Sequence, residues 1–162
     1  MKPMTLAVWM AGGAMLAGCA ATGGPTAVAP PTAPICKAVT EGEIAQLFDR
    51  WNASLQSGDP HQVVAHYAEQ SILLPTVSNT PRLTPEEKED YFHHFVENRP
   101  SGKVDMRRIY IGCNDAVDAG LYTFTFGKSG AVIKARYTFT YHWTGDTWLI
   151  TSHHSSAMPE KQ

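Results

Sequence analysis

The chain has 162 residues, a formal net charge of −2 and 43% hydrophobic side chains. That length allows one domain after an N-terminal leader, and the hydrophobic fraction is enough for a real core. A charge so close to neutral gives no electrostatic footprint for a nucleic-acid partner.

The first elements are not fold. Lys2 supplies a short positive start, residues Leu6 to Leu16 are apolar or small, and the run ends in Leu16-Ala17-Gly18-Cys19. A charged start, an apolar stretch and small residues at the cut site make a secretory signal. The stretch is too short to span a bilayer as a mature helix. A cysteine directly after Leu-Ala-Gly marks the lipoprotein form, so residues 1–18 are expected to be removed and Cys19 to carry lipid into a membrane. Ala20 is not the aspartate associated with inner-membrane retention, which points to the outer membrane, facing the periplasm. Residues 20–34 are Ala, Thr, Gly, Pro and Val, with no large side chain to anchor a core. The segment 19–39 is therefore read as a tether, residues 40–158 as one domain and residues 159–162 as a tail. In an oxidising compartment Cys36 and Cys113 are expected to form a disulfide.

Thr40-Glu41-Gly42-Glu43 is a capping box. Ile44, Leu47, Phe48, Trp51 and Leu55 follow it at helical spacing. Gly58 ends that helix. Asp59-Pro60 starts a second, with Val63, Val64 and Tyr67 as its apolar face. Ile72-Leu73-Leu74 reads as a brief strand and residues 75–83 as a polar loop. Thr84-Pro85-Glu86-Glu87 caps a third helix that buries Tyr91, Phe92, Phe95 and Val96. The remainder alternates as strands: Val104 to Ile111, Ala116 to Phe126 with Gly120 marking a bulge, Arg136 to Trp143, and Trp148 to Ser156. Short turns between long strands predict an antiparallel sheet. Helices first and a meander afterwards predict an α+β domain: a curved antiparallel sheet closed on one face by three N-terminal helices, with a cavity at its open end. Large residues on both faces of the strands predict that the face away from the helices meets a partner in an isologous dimer.

This order resembles the cone-shaped, cystatin-like fold shared by nuclear transport factor 2, ketosteroid isomerase and scytalone dehydratase, the SnoaL-like superfamily. Six segments narrow it: Phe48-Asp49-Arg50-Trp51-Asn52, Gly58-Asp59-Pro60, Tyr91-Phe92, Asp118 to Tyr122, Ala135 to Thr138, and Trp148-Leu149-Ile150 with His153-His154-Ser155-Ser156. Together they resemble bacterial proteins similar to the association domain of calcium/calmodulin-dependent protein kinase II, over residues 40–158. The resemblance implies a dimer or larger ring built through the outer face of the sheet, and a pocket inside each cone. It implies no kinase activity, and the chain has neither a Gly-x-Gly-x-x-Gly loop nor a His-Arg-Asp segment. The kinase domain's pocket is rich in arginine. An ungapped register puts Phe139 and Ser155 where two of those arginines stand, which argues against anion binding there.

His153 and His154 are neighbours on a strand and face opposite sides unless a bulge intervenes. The register places His153 inward, sharing its side with Thr151 and Ser155, and His154 outward. The expected pocket is Trp51, Tyr67, Tyr91, Arg136, Tyr137, His153 and Ser155. Arg136 can hold a carboxylate there, or pair with Asp118 or a glutamate across a dimer face. His93 and His94 do not converge, and there is no His-Glu-x-x-His, so no metal or other cofactor is expected. The leading expectation is a lipid-anchored module that binds a small organic molecule or assembles with its own copies. The alternative is an isomerase or dehydratase with His153 as general base.

Overall fold

The structure, a computed structural model, describes residues 35–76 and 78–159. The signal segment, Cys19, the tether up to residue 34 and the last three residues lie outside them. Helix α1 (Glu41–Leu55) starts at the expected capping box: the Thr40 hydroxyl accepts from the Glu43 N–H at 3.2 Å, and the Glu43 carboxylate accepts from the Thr40 N–H at 2.8 Å. Its apolar stripe, Ile44, Phe48, Trp51 and Leu55, is almost wholly buried. Helix α2 (Pro60–Val64) is a single capped turn, and α3 (Pro85–Val96) repeats the capping box with Thr84 and Glu87.

Five strands follow the expected alternation: β1 (Tyr67–Leu74), β2 (Pro100–Ile111), β3 (Asp115–Phe126), β4 (Val132–Trp143) and β5 (Trp148–Ala157). They form one sheet in the order β1-β5-β4-β3-β2. The α+β architecture with an antiparallel meander is as expected. The departure is β1, which joins the edge parallel to β5 and starts five residues earlier than the brief strand predicted. Tyr67 is therefore the first residue of a strand, and α2 ends at Val64. The carbonyl of His66 takes the N–H of Ile150 at 2.8 Å, so strand pairing captures the chain just before Tyr67.

Large side chains go to one face. Tyr122, Phe124, Tyr137, Phe139, Tyr141 and Ile150 are buried against Phe48, Trp51 and Phe92. The other face is smaller and more polar than the sequence suggests: Thr138, Thr140 and His154 stand there beside Arg136. Its apolar part is a strip in which Met106 pairs with Leu121 and Tyr110 with Val117. Two bulges set the register. One on β5 opposite Thr140/Tyr141 moves Thr151 outward, where its hydroxyl meets that of Thr140 at 2.8 Å. Ile150, not Thr151, is thus the buried neighbour of His153. The other lies on β2 at Asp105, opposite the Leu121–Tyr122 step and next to Gly120 rather than in its strand. A Cβ on Gly120 would stand 1.9 Å from the Met106 carbonyl oxygen, so only glycine admits this approach.

Cys36 and Cys113 form the expected disulfide, which ties the segment before α1 to the β2–β3 turn. The Lys37 N–H reinforces the tie by donating to the Cys113 carbonyl at 3.0 Å.

Candidate functional site

A cavity of about 540 Å³ remains between α3, the end of α1 and the far half of the sheet. Its wall is aromatic: Trp51 from α1, Tyr91, Phe92 and Phe95 from α3, Tyr122 and Phe124 from β3. Strand alternation on β5 brings His153 and Ser155 to the same wall. The Tyr122 hydroxyl donates to the Ser155 hydroxyl, which also meets the Thr76 hydroxyl from the loop after β1.

His153 is 4% exposed. Its ring stacks on Phe139 with centroids 4.0 Å apart, and Trp51 meets it edge-on at 5.2 Å. Burial, followed by the neighbouring His154, pushes its pKa down to about 3, so the ring is neutral at pH 7. The Tyr67 hydroxyl lies 2.8 Å from Nδ1. Burial raises the pKa of Tyr67 well above that of a free phenol, so this hydroxyl keeps its proton. With the imidazole neutral, the phenol donates to Nδ1 and the ring proton is assigned to Nε2. Nε2 is buried and has no hydrogen-bond partner among the described residues. One donor thus stays unspent on a ring that lines the cavity.

Of the residues expected in the pocket, Trp51, Tyr91, His153 and Ser155 line it. Tyr67 stands behind His153 as its hydrogen-bond partner. Tyr137 is core: its ring stacks on Tyr122 at 4.8 Å, and its hydroxyl donates to Asp118 at 2.9 Å. Arg136 is a correction. Tyr137 points inward, so alternation puts Arg136 on the opposite, exposed face, where its guanidinium reaches the Ala157 carbonyl at 3.4 Å. Nor does it pair with Asp118, whose cation is Arg107 at 3.0 Å. Asp118 is fully buried and Arg107 is 24% exposed, and the pair sits on the inner face away from the cavity. Burial raises the Asp118 pKa, against the Tyr137 hydrogen bond and the Arg107 charge.

Sequence reasoning missed Thr76, Arg82 and the aromatic pair Phe124 and Phe126 as lining residues. The two phenylalanines were readable, since they share Tyr122's face by the period of two. Thr76 and Arg82 belong to a loop that no periodicity describes. Arg82 is held by paired backbone hydrogen bonds to Leu73, at 3.0 and 2.9 Å, and stands 5.8 Å from the Tyr91 ring centre.

The family model for the calcium/calmodulin dependent protein kinase II association domain matches residues 40–159. The chain belongs to this family. A solved structure from Xanthomonas campestris, described as such an association domain, is 45% identical, with 78% of this chain and 96% of that chain covered and a TM-score of 0.71. Two further structures share the fold alone. An NTF2-like protein of unknown function from Pseudomonas putida is 17% identical (75% and 89% covered, TM-score 0.65). A chain described as an NTF2-like dehydratase from Streptomyces avermitilis is 11% identical (74% and 96% covered, TM-score 0.66). No curated protein matches the sequence. In this association domain the helices and sheet leave an aromatic cavity whose inner polar groups are all uncharged.

Proposed function

We propose that the protein is a lipid-anchored, periplasm-facing association domain that pairs with its own copies and holds a small, largely apolar organic molecule with a polar end. The observation that carries the binding part is the cavity of about 540 Å³, within the range of about 300–1,000 Å³ usual for small-molecule sites. Its aromatic wall supplies apolar contact, while the Tyr122–Ser155–Thr76 hydroxyls and the spare N–H of His153 fix orientation. The anchor rests on the Leu-Ala-Gly-Cys box ending at Cys19. Self-association rests on the Met106, Tyr110, Val117 and Leu121 strip.

An isomerase or dehydratase reading would need His153 to accept a proton. A base whose conjugate acid forms only near pH 3 is a weak one at neutral pH. Asp118, a carboxylate buried on the inner face, lies outside the cavity wall. Both points favour holding over turnover.

The test is native mass spectrometry of the full chain purified from membranes, with untargeted analysis of what it carries. A stoichiometric small molecule should appear, and should be lost from Ala135→Phe, which fills the cavity from β4. A preparation that carries nothing and binds no apolar fluorescent probe would refute the binding reading.

A further inference from the structure

A second, smaller cavity of about 260 Å³ lies at the other end of β5, under the β4–β5 turn. Leu47 and Arg50 from α1, Ala65 and His66 from the α2–β1 connection, Tyr141 from β4 and residues 147–150 line it. None of these belongs to the wall of the aromatic cavity. Its polar side chains, Arg50, His66, Tyr141, Thr147 and the indole of Trp148, can all donate a hydrogen bond, and no carboxylate lines it.

Tyr141 is 2% exposed, and its hydroxyl is buried with no hydrogen-bond partner. A buried hydroxyl left alone forfeits on the order of 1–3 kcal/mol, so such groups have partners in folded proteins. Arg50 makes no ion pair or hydrogen bond among the described residues. The side chain of His66 likewise makes none. It is half-buried, and its pKa is held below that of free imidazole by burial and then by the Arg50 charge. Burial raises the pKa of the Tyr141 phenol, Asp118 and Tyr137 add to that shift, and Arg107 and then Arg50 oppose it. Arg50 is thus close enough to act on both His66 and Tyr141, and no carboxylate lines the cavity beside them.

We propose that this cavity is an oxyanion site, in which Arg50, His66 and the Tyr141 hydroxyl together hold one small carboxylate or phosphate group. Arg50 supplies the charge, and Tyr141 the buried donor. Leu47, Leu149 and Ile150 form an apolar side that suits the hydrocarbon part of a short organic acid. The site is independent of the ligand in the aromatic cavity.

The test is a titration of the full chain with propionate, inorganic phosphate or chloride at constant ionic strength, followed by NMR of the histidine rings. The His66 signals are assigned with His66→Gln. Propionate or phosphate should shift the His66 ring saturably and chloride should not. Propionate alone would identify an organic acid as the ligand, phosphate alone a phosphoryl group, and either supports the site. Arg50→Gln, on the exposed side of α1, should weaken binding at least tenfold. Tyr141→Phe should weaken it several-fold with the fold intact by near-ultraviolet circular dichroism. Shifts that match those of chloride, or that survive Arg50→Gln unchanged, would overturn the proposal. So would His66 shifts that follow protein concentration with no anion added, since an acidic side chain of a second copy would then occupy the cavity.

Discussion

Acidification should unfold this domain through His153. The unfolded chain protonates that imidazole near 6.5, whereas the folded protein refuses the proton until about 3. Below the unfolded value the unfolded state therefore binds more protons, and stability falls with pH across the window between the two values. For a single group with these values, linkage gives a loss of about 2 kcal/mol between pH 7 and pH 5, and about 4 kcal/mol by pH 3. Other groups titrate over the same range, so the comparison is with His153→Gln, whose amide can still accept from Tyr67 but does not ionise. Urea unfolding of both proteins at 25 °C, at pH 7 and pH 5, gives the two differences. Contributions from His66 and from the lowered carboxylates of Glu43 and Glu87 are common to both and cancel. The wild type should lose about 2 kcal/mol more than the variant. Equal losses would show that His153 titrates in the folded state as it does in the unfolded chain, and the account of a neutral, buried ring would be refuted.

Three other outcomes follow from the packing. Cys36→Ser, which opens a loop of 77 residues, should cost about 4 kcal/mol by chain entropy, read as a lower urea midpoint. Gly120→Ala must push β2 aside at Met106 and should cost about 3 kcal/mol or more; a variant as stable as wild type would contradict the close approach. Asp118→Asn strands the Arg107 guanidinium and should cost about 3 kcal/mol in stability. It should nonetheless leave uptake of an apolar fluorescent probe unchanged, because Asp118 is outside the cavity.

How much of this was legible varies with the physics of each element. Both capping boxes and the helices after them follow from local rules, and the structure contains them with the expected partners. The inward set of β3 and β4 follows from the period of two. Alternation failed where a bulge inserted a residue: counting back from His153 puts Thr151 inside, and the bulge puts Ile150 there. Gly120 did signal an irregularity, but a glycine answers to a neighbour's backbone as readily as to its own, and the bulge belongs to β2. Tyr67 looked helical because it continues the apolar spacing of Val63 and Val64. Its pairing depends on β5, more than 80 residues later, which no local window contains. Arg136 could have been set aside from the sequence alone, since it adjoins Tyr137 in a strand whose aromatic residues all share the other face.

The chemistry of the aromatic cavity is bound to this packing. Phe139 and Ser155 are tied to neutral partners: Phe139 lies flat on His153, and Ser155 is held between Tyr122 and Thr76. A carboxylate or ammonium drawn to that depth would lose its hydration with no counter-charge to meet it, at a cost of several kcal/mol. Even protonating His153 in compensation is opposed, since burial already holds that ring neutral. The charged side chains in the lining, Arg82 and Asp90, come from the loop before α3 and from the exposed side of α3. A ligand that fits both conditions enters with its uncharged part against Trp51, Phe124 and His153, and keeps any ionised group at the Arg82 side.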